Sequence, residues 1–139
     1  MWGKFKKIEI LKFQEGMVKN NLRILIRKMA DEIRKTALVV DDDIKTAEAY
    51  VRYGARHGYD IIIETTLTEA LQHSGTRFDL LVIDGLEGKC WDVIPVITAD
   101  RKVLLSGDES QLDNPKVAEL QIEAFEKMAL ESPLPKIFI

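Results

Sequence analysis

Four short apolar runs end on an acid or a hydroxyl, and amphipathic stretches lie between them. Ala37-Leu38-Val39-Val40 is continuous, partly β-branched and stops at Asp41-Asp42-Asp43. Such a run predicts a strand buried on both faces, as in a parallel sheet. Tyr59 to Glu64 carries Ile61-Ile62-Ile63, and Phe78 to Ile83 ends at Asp84. Lys102 to Leu105 ends at Ser106, and Pro135-Lys136-Ile137-Phe138-Ile139 reads as a fifth, terminal strand.

Helical spacing fills the gaps. Val18, Leu22, Leu25, Met29 and Ile33 place one apolar stripe on a helix from about Val18 to Lys35. Ile44, Ala47, Val51 and Ala55 give a second helix that ends at Gly58. Thr66-Leu67-Thr68-Glu69 is a capping box opening a short helix through about His73. An irregular helix is expected near Trp91 to Thr98, disturbed by Pro95. Asp113-Asn114-Pro115 starts another, with Val117, Leu120, Ala124 and Met128 as its buried stripe. Lys4 to Phe13 is weakly strand-like. Alternation of strands and helices predicts an α/β domain on a parallel sheet with right-handed crossovers.

Composition narrows the class. The chain has 139 residues, 46% hydrophobic and 31% charged, which suits one soluble globular domain. No apolar run approaches the roughly 20 residues that span a bilayer, so no membrane partner is expected. The first seven residues lack the apolar core of a secretory signal. Cys90 is the single cysteine, which excludes an internal disulfide and a multi-cysteine zinc site. A reducing cytoplasm is the expected setting. The net charge of −3 divides unevenly, +6 over residues 1–35 and −9 over residues 36–139. A basic arm and helix over 1–35 thus precede an acidic domain over 36–139. No helix-turn-helix pattern supports nucleic-acid binding by the arm.

In parallel α/β sheets, function sits at the carboxyl ends of the strands. That rule selects Asp41, Asp42 and Asp43, Asp84, Ser106 and, from the terminal strand, Lys136. Several carboxylates at one edge repel one another and call for a hard cation, Mg²⁺ above all. An aspartate beside such an ion can attack a phosphoryl group and form an acyl phosphate. The arriving oxygens then need a lysine and a hydroxyl donor, and Lys136 and Ser106 offer both. His57 and His73 lie at predicted helix ends, and Cys90 and Trp91 read as packing residues.

At these residues the chain resembles the receiver domain of two-component response regulators. The similar stretches are Leu38-Val39-Val40-Asp41-Asp42-Asp43, Gly58-Tyr59-Asp60-Ile61, Thr68-Glu69-Ala70-Leu71, Phe78 through Asp84, Val103 through Ser106, and Lys136-Ile137-Phe138. They stand in the family's order over residues 36–139. The resemblance implies a flavodoxin-like doubly wound sheet of five parallel strands in the order 2-1-3-4-5, with the N-terminal helix as an addition. It implies that Asp84 accepts phosphate from a histidine kinase or phosphotransfer protein. Asp41, Asp42 and Asp84 would hold Mg²⁺ with the backbone carbonyl of Leu86. Ser106 would hydrogen-bond the phosphoryl oxygen and Lys136 would pair with it. Asp43 is the alternative to Asp42, because the triple Asp leaves a one-residue ambiguity.

The chain departs from the family's pattern in several places, among them a shorter segment from Asp84 to Ser106 and a longer one from Ser106 to Lys136 than usual. Ile137 replaces the proline after the lysine. Pro133 stands where a switch aromatic is usual, three residues before Lys136. Gly85-Leu86-Glu87-Gly88 replaces the loop's Met-Pro. The family's last helix is absent, which leaves a sheet face for the helix of residues 18–35 to cover, in its own chain or in a homodimer. A phosphorylatable receiver signalling through an unidentified output protein is the expected function, with no catalysis beyond its own phosphorylation and dephosphorylation. One alternative is a pseudo-receiver that binds partners without phosphotransfer. Another is a haloacid-dehalogenase-like phosphatase, with Asp41 as nucleophile and Asp43 as acid and base.

Overall fold

The computed structural model describes residues 16–29, 34–127 and 133–139. The chain divides into two units, Met1–Arg34 and Lys35–Ile139. In the first, helix α1 is described over residues 16–29 and carries Val18, Leu22, Leu25 and Met29 at helical spacing. It does not reach Lys35, which opens the first strand. The strand-like stretch Lys4 to Phe13 lies outside the described residues.

The second unit is a five-stranded sheet. In chain order it runs β1 (Lys35–Val40), α2 (Ile44–Arg56), β2 (Tyr59–Glu64), α3 (Leu67–Leu71) and β3 (Arg77–Asp84). A 3-10 turn (Leu86–Gly88), α4 (Cys90–Val93) and β4 (Thr98–Ser106) follow. Then come α5 (Glu109–Leu112), α6 (Pro115–Glu119), β5 (Glu123–Glu126) and α7 (Leu134–Ile137). All strand pairs are parallel and the order is β2-β1-β3-β4-β5. This is the doubly wound, flavodoxin-like arrangement.

Strand alternation feeds two cores. Ala37, Val39, Leu80, Val82, Val103 and Leu105 face one side, beneath α2 and α7. Leu38, Val40, Leu81, Ile83 and Leu104 face the other, beneath α3, α4 and the partly buried Leu112, Val117 and Leu120. Burial on both faces explains why the central strands read as unbroken apolar runs. The buried face of α2 is Ala47, Tyr50 and Gly54. Ile44, expected on that face, is exposed. Gly54 is required there, because a Cβ would lie 2.4 Å from Ile61 Cδ1 and 2.9 Å from Phe138 Cε1.

The C-terminal third corrects the sequence reading. The fifth strand is Glu123–Glu126, and the segment expected to form it is helix α7. Helix α6 stops at Glu119, and Gln121 turns the chain at a φ of 55°. Ala124 therefore lies on a strand, not on a helical stripe, and Met128 lies outside the described residues. β5 is an edge strand whose outer positions carry charge, a common guard against edge-to-edge pairing. That charge hid its strand character. In the terminal segment, Pro133 and Pro135 occupy the cap and first turn of α7, where proline costs little.

The sheet face expected to be bare is covered. Leu134, Ile137 and Phe138 are buried in the core beneath α2. The Phe138 ring stacks edge-on to Tyr59 at 5.2 Å and lies 6.1 Å from Tyr53. A single helical turn and one aromatic thus pack on that face. Among the described residues, no helix is long and apolar enough to cross a membrane.

Candidate functional site

The strand order reverses at β1. The crossover from β1 runs outward to β2, and the one from β3 runs to β4 on the other side. The crevice at such a switch point is where open α/β sheets bind ligands. Asp41 follows β1 and Asp84 closes β3, so both acids stand at its rim.

The lysine between them is Lys127. Its Nζ donates to Asp41 Oδ2 at 2.8 Å and to Asp84 Oδ1 at 2.9 Å. Lys127 directly follows β5, and its backbone N–H donates to the Ser106 carbonyl at 3.0 Å. That bond extends the β4–β5 ladder by one residue and aims the side chain over the strand ends. Lys136 was the lysine expected in the site. It lies in α7, exposed, and its carbonyl accepts from Arg101 Nη2 at 3.2 Å. Lys136-Ile137-Phe138 imitated the family's lysine motif while serving as a plug under the sheet. With Lys127 as the lysine, the residue three before it is Ala124, not Pro133, so no aromatic stands at that position. No hydrophobic alternation points to Lys127, because the strand before it begins and ends on an exposed glutamate.

Asp41 is 1% exposed. Burial pushes its carboxyl above the usual aspartate value, against hydrogen bonds from Lys127 and the Asp43 backbone. Burial also opposes the Lys127 charge, but hydrogen bonds to Asp41 and Asp84 outweigh it and hold the ammonium above its ordinary range. The second oxygen of Asp41 accepts from Asp43 N–H at 2.9 Å. The second oxygen of Asp84 accepts from Leu86 N–H at 3.2 Å. Leu86 and Glu87 adopt φ of 49° and 56°, a costly region for residues with a Cβ. Strain of this kind gathers at functional loops. Here it turns the Leu86 amide onto the acid, while the Leu86 carbonyl accepts from Lys89 N–H at 3.1 Å.

Asp41, Asp42 and Asp84 bring carboxylate oxygens within 4.8 Å of one another. One ammonium pairs with two of the three acids, all the donors are oxygen, and this set fits a hard divalent ion. Asp43 does not belong to it. Its carboxylate caps α2, accepting from Lys45 N–H at 3.1 Å and Thr46 Oγ1 at 2.9 Å. The Thr46 hydroxyl chiefly holds that carboxyl below its usual value. Of the two candidates, Asp42 is the one that stands with Asp41 and Asp84, while the Asp43 carboxylate is engaged in the cap. Asp42 also borders an open cleft of about 280 Å³ with Thr66, Leu67, Leu86 and Lys89.

Ser106 ends β4, next to the strand that carries Asp84, and is 3% exposed. Its hydroxyl accepts from Asp108 N–H at 3.0 Å and donates to Gln111 Oε1 at 2.5 Å. Gln111 was not foreseen, because a lone glutamine in a polar loop carries no sequence signal. His57 stacks on Tyr53 at 4.2 Å, and His73 lies 3.5 Å from Glu64. Cys90 is fully buried, which pushes its thiol up to about 11.

No protein-family model matches the sequence, and no curated protein does. Solved structures do. A response regulator from Burkholderia pseudomallei, holding a phosphorylated aspartic acid, calcium and citrate, superposes with a TM-score of 0.60 at 24% identity. That match covers 74% of this chain and 66% of the other, so this chain spans just under two thirds of its length. A CheY-like receiver domain from Methanospirillum hungatei gives 0.56 at 23% identity, over 74% and 90% of the two chains. A de novo designed Rossmann 2x3 protein gives 0.60 at 16% identity, over 73% and 84%. Most of the similar structures are receiver domains, and this chain has their fold. The designed neighbour shows that the fold alone does not carry the function.

Proposed function

We propose that the protein is a receiver that takes a phosphoryl group on Asp84. The observation that supports this reading is the Lys127 ammonium held between Asp41 and Asp84, beside Asp42 and one strand from the Ser106 hydroxyl. In this reading a carboxylate oxygen of Asp84 attacks the phosphorus of a phosphohistidine on a kinase or phosphotransfer protein. The P–N bond breaks, its electron pair stays on the imidazole, and an acyl phosphate results. Asp41, Asp42 and Asp84, with the Leu86 carbonyl, would hold Mg²⁺, which would supply charge for the phosphoryl oxygens. Lys127, rather than Lys136, neutralises the product, and Ser106 donates to it. Output runs through protein contacts, self-association through the apolar stripe of α1 among them, in a cytoplasmic setting.

The test is modification by acetyl phosphate with Mg²⁺, on the natural chain and on Asp84→Asn. Stoichiometric, acid-stable and base-labile phosphate on the first and none on the second is expected. Equal labelling of both, or none on either, overturns the reading. A second reading is a pseudo-receiver working by contacts alone. Ala124 in the aromatic position and the engaged Ser106 hydroxyl favour it. Failure to label, together with no Mg²⁺-dependent stabilisation, would select it.

A further inference from the structure

Ser106 has one hydroxyl proton, and in this structure Gln111 holds it. The 2.5 Å bond to Gln111 Oε1 takes that proton in preference to the Asp108 carbonyl at 3.5 Å, while the Asp108 amide occupies a lone pair. The other end of the carboxamide turns to the Gly85 carbonyl, a long contact of 3.5 Å from Nε2. That orientation is required, since the Gly85 carbonyl can only accept and the amino group can only donate. Gly85 immediately follows Asp84. A Cβ at this residue would collide with Gln111 Oε1 and lie 3.0 Å from Ser106 Oγ. The carboxamide therefore lies close against the backbone that follows the acceptor aspartate.

A phosphoryl group offers only acceptors. For Ser106 to donate to one, the bond to Gln111 must break, and two oxygen acceptors then compete for one proton. Gln111 belongs to α5, whose cap Asp108 accepts from Ser110 N–H at 2.9 Å and whose own amide donates to Ser106. Leu112, the next residue, packs into the core beneath the sheet. With only a methyl at Ala124, this hydrogen-bonded path links Ser106 to α5. We infer that Gln111 is a positioning residue that locks the Ser106 hydroxyl in the resting state, and that its release moves α5. The inference rests on the phosphoacceptor reading and adds its regulation.

The experiment titrates the full chain with beryllofluoride and Mg²⁺, comparing natural protein, Gln111→Met, Ser106→Ala and the double variant by calorimetry. Methionine keeps the length of glutamine and removes both polar ends. Gln111→Met is expected to bind about fivefold more tightly, the worth of one ordinary hydrogen bond no longer broken. On the Ser106→Ala background the same change is expected to do nothing. Backbone amides of Gln111 to Asp113 should exchange faster in the natural protein when beryllofluoride is bound. Unchanged or weaker binding by Gln111→Met, or equal tightening without Ser106, overturns the lock. If the natural chain takes no beryllofluoride, the phosphoacceptor reading falls instead. The lock is then decided on the unliganded chain by urea unfolding. A double variant no less stable than either single one supports it, and additive losses overturn it.

Discussion

The two ends of the sheet treat charge in opposite ways. At the amino-terminal ends of the strands each charge has a partner of its own. Arg77 pairs with Asp100, and Arg101 grips Glu123 through two nitrogens at 2.8 and 3.0 Å. Arg101 also donates to the Ile137 carbonyl at 2.7 Å, and Lys35 Nζ donates to the Ile139 carbonyl at 3.1 Å. Asp79 accepts from the Thr36 amide at 2.8 Å. Lys35, Asp79, Asp100 and Arg101 line an open cleft of about 300 Å³, and Lys35 and Arg101 staple the terminal segment under the sheet. At the carboxyl ends, one ammonium pairs with two carboxylates, the buried Asp41 and the half-buried Asp84, and the exposed Asp42 stands beside them. Exposed, matched pairs at the first end hold structure together and contribute little each. An excess of acids around one buried carboxylate costs stability at the second end, and it leaves room for a cation and a phosphoryl group.

The largest way to break this contrast is Lys127→Met. It leaves Asp41 and Asp84 facing each other without compensation, and the loss should be about 3 kcal/mol in urea unfolding. Lys136→Met, on an exposed helical turn, should leave the midpoint in place. The pH dependence sharpens the point. The folded ammonium titrates above 10.5, so its contribution is present below that value and falls away as pH rises through the folded one. Unfolding of Lys127→Met should lack this alkaline decline.

Mg²⁺ should act next in size and only at the acidic end. At tenfold excess over its dissociation constant it should stabilise the natural chain by about 1.4 kcal/mol. Asp42→Asn should lose most of that shift, and Lys127→Met should gain more than the natural chain. Equal shifts in all three would place the ion elsewhere. The smallest effects belong to the matched end. Arg101→Ala, which frees two carbonyls, should cost about 1 kcal/mol after solvent screening. Arg77→Ala, whose pair stands in water, should not move the midpoint.

The sequence by itself determined the sheet. The runs ending at Asp41, Glu64, Asp84 and Ser106 became β1 to β4; the apolar runs of β1, β3 and β4 are buried on both faces and so continuous, while β2 is an edge strand with Ile62 exposed. The caps Thr66 and Asn114 held for the same local reason, since their side chains satisfy amides two or three residues away. Asp41, Asp42, Asp84 and Ser106 were legible because each ends an apolar run. Only the tertiary structure decided the rest. Glu123–Glu126 is a strand because β4 offers it an open edge, and its charged positions gave no apolar signal. Lys127, not Lys136, reaches the acids because that pairing carries it to the rim of the sheet. The terminal segment became a plug because Phe138 finds a site between α2 and Tyr59, made by residues more than 75 positions away in sequence. Gln111 meets Ser106 and Gly85 only once two loops converge at the same strand ends. Local pattern chooses elements, whereas distant packing chooses which lysine, which edge and which side chain meet.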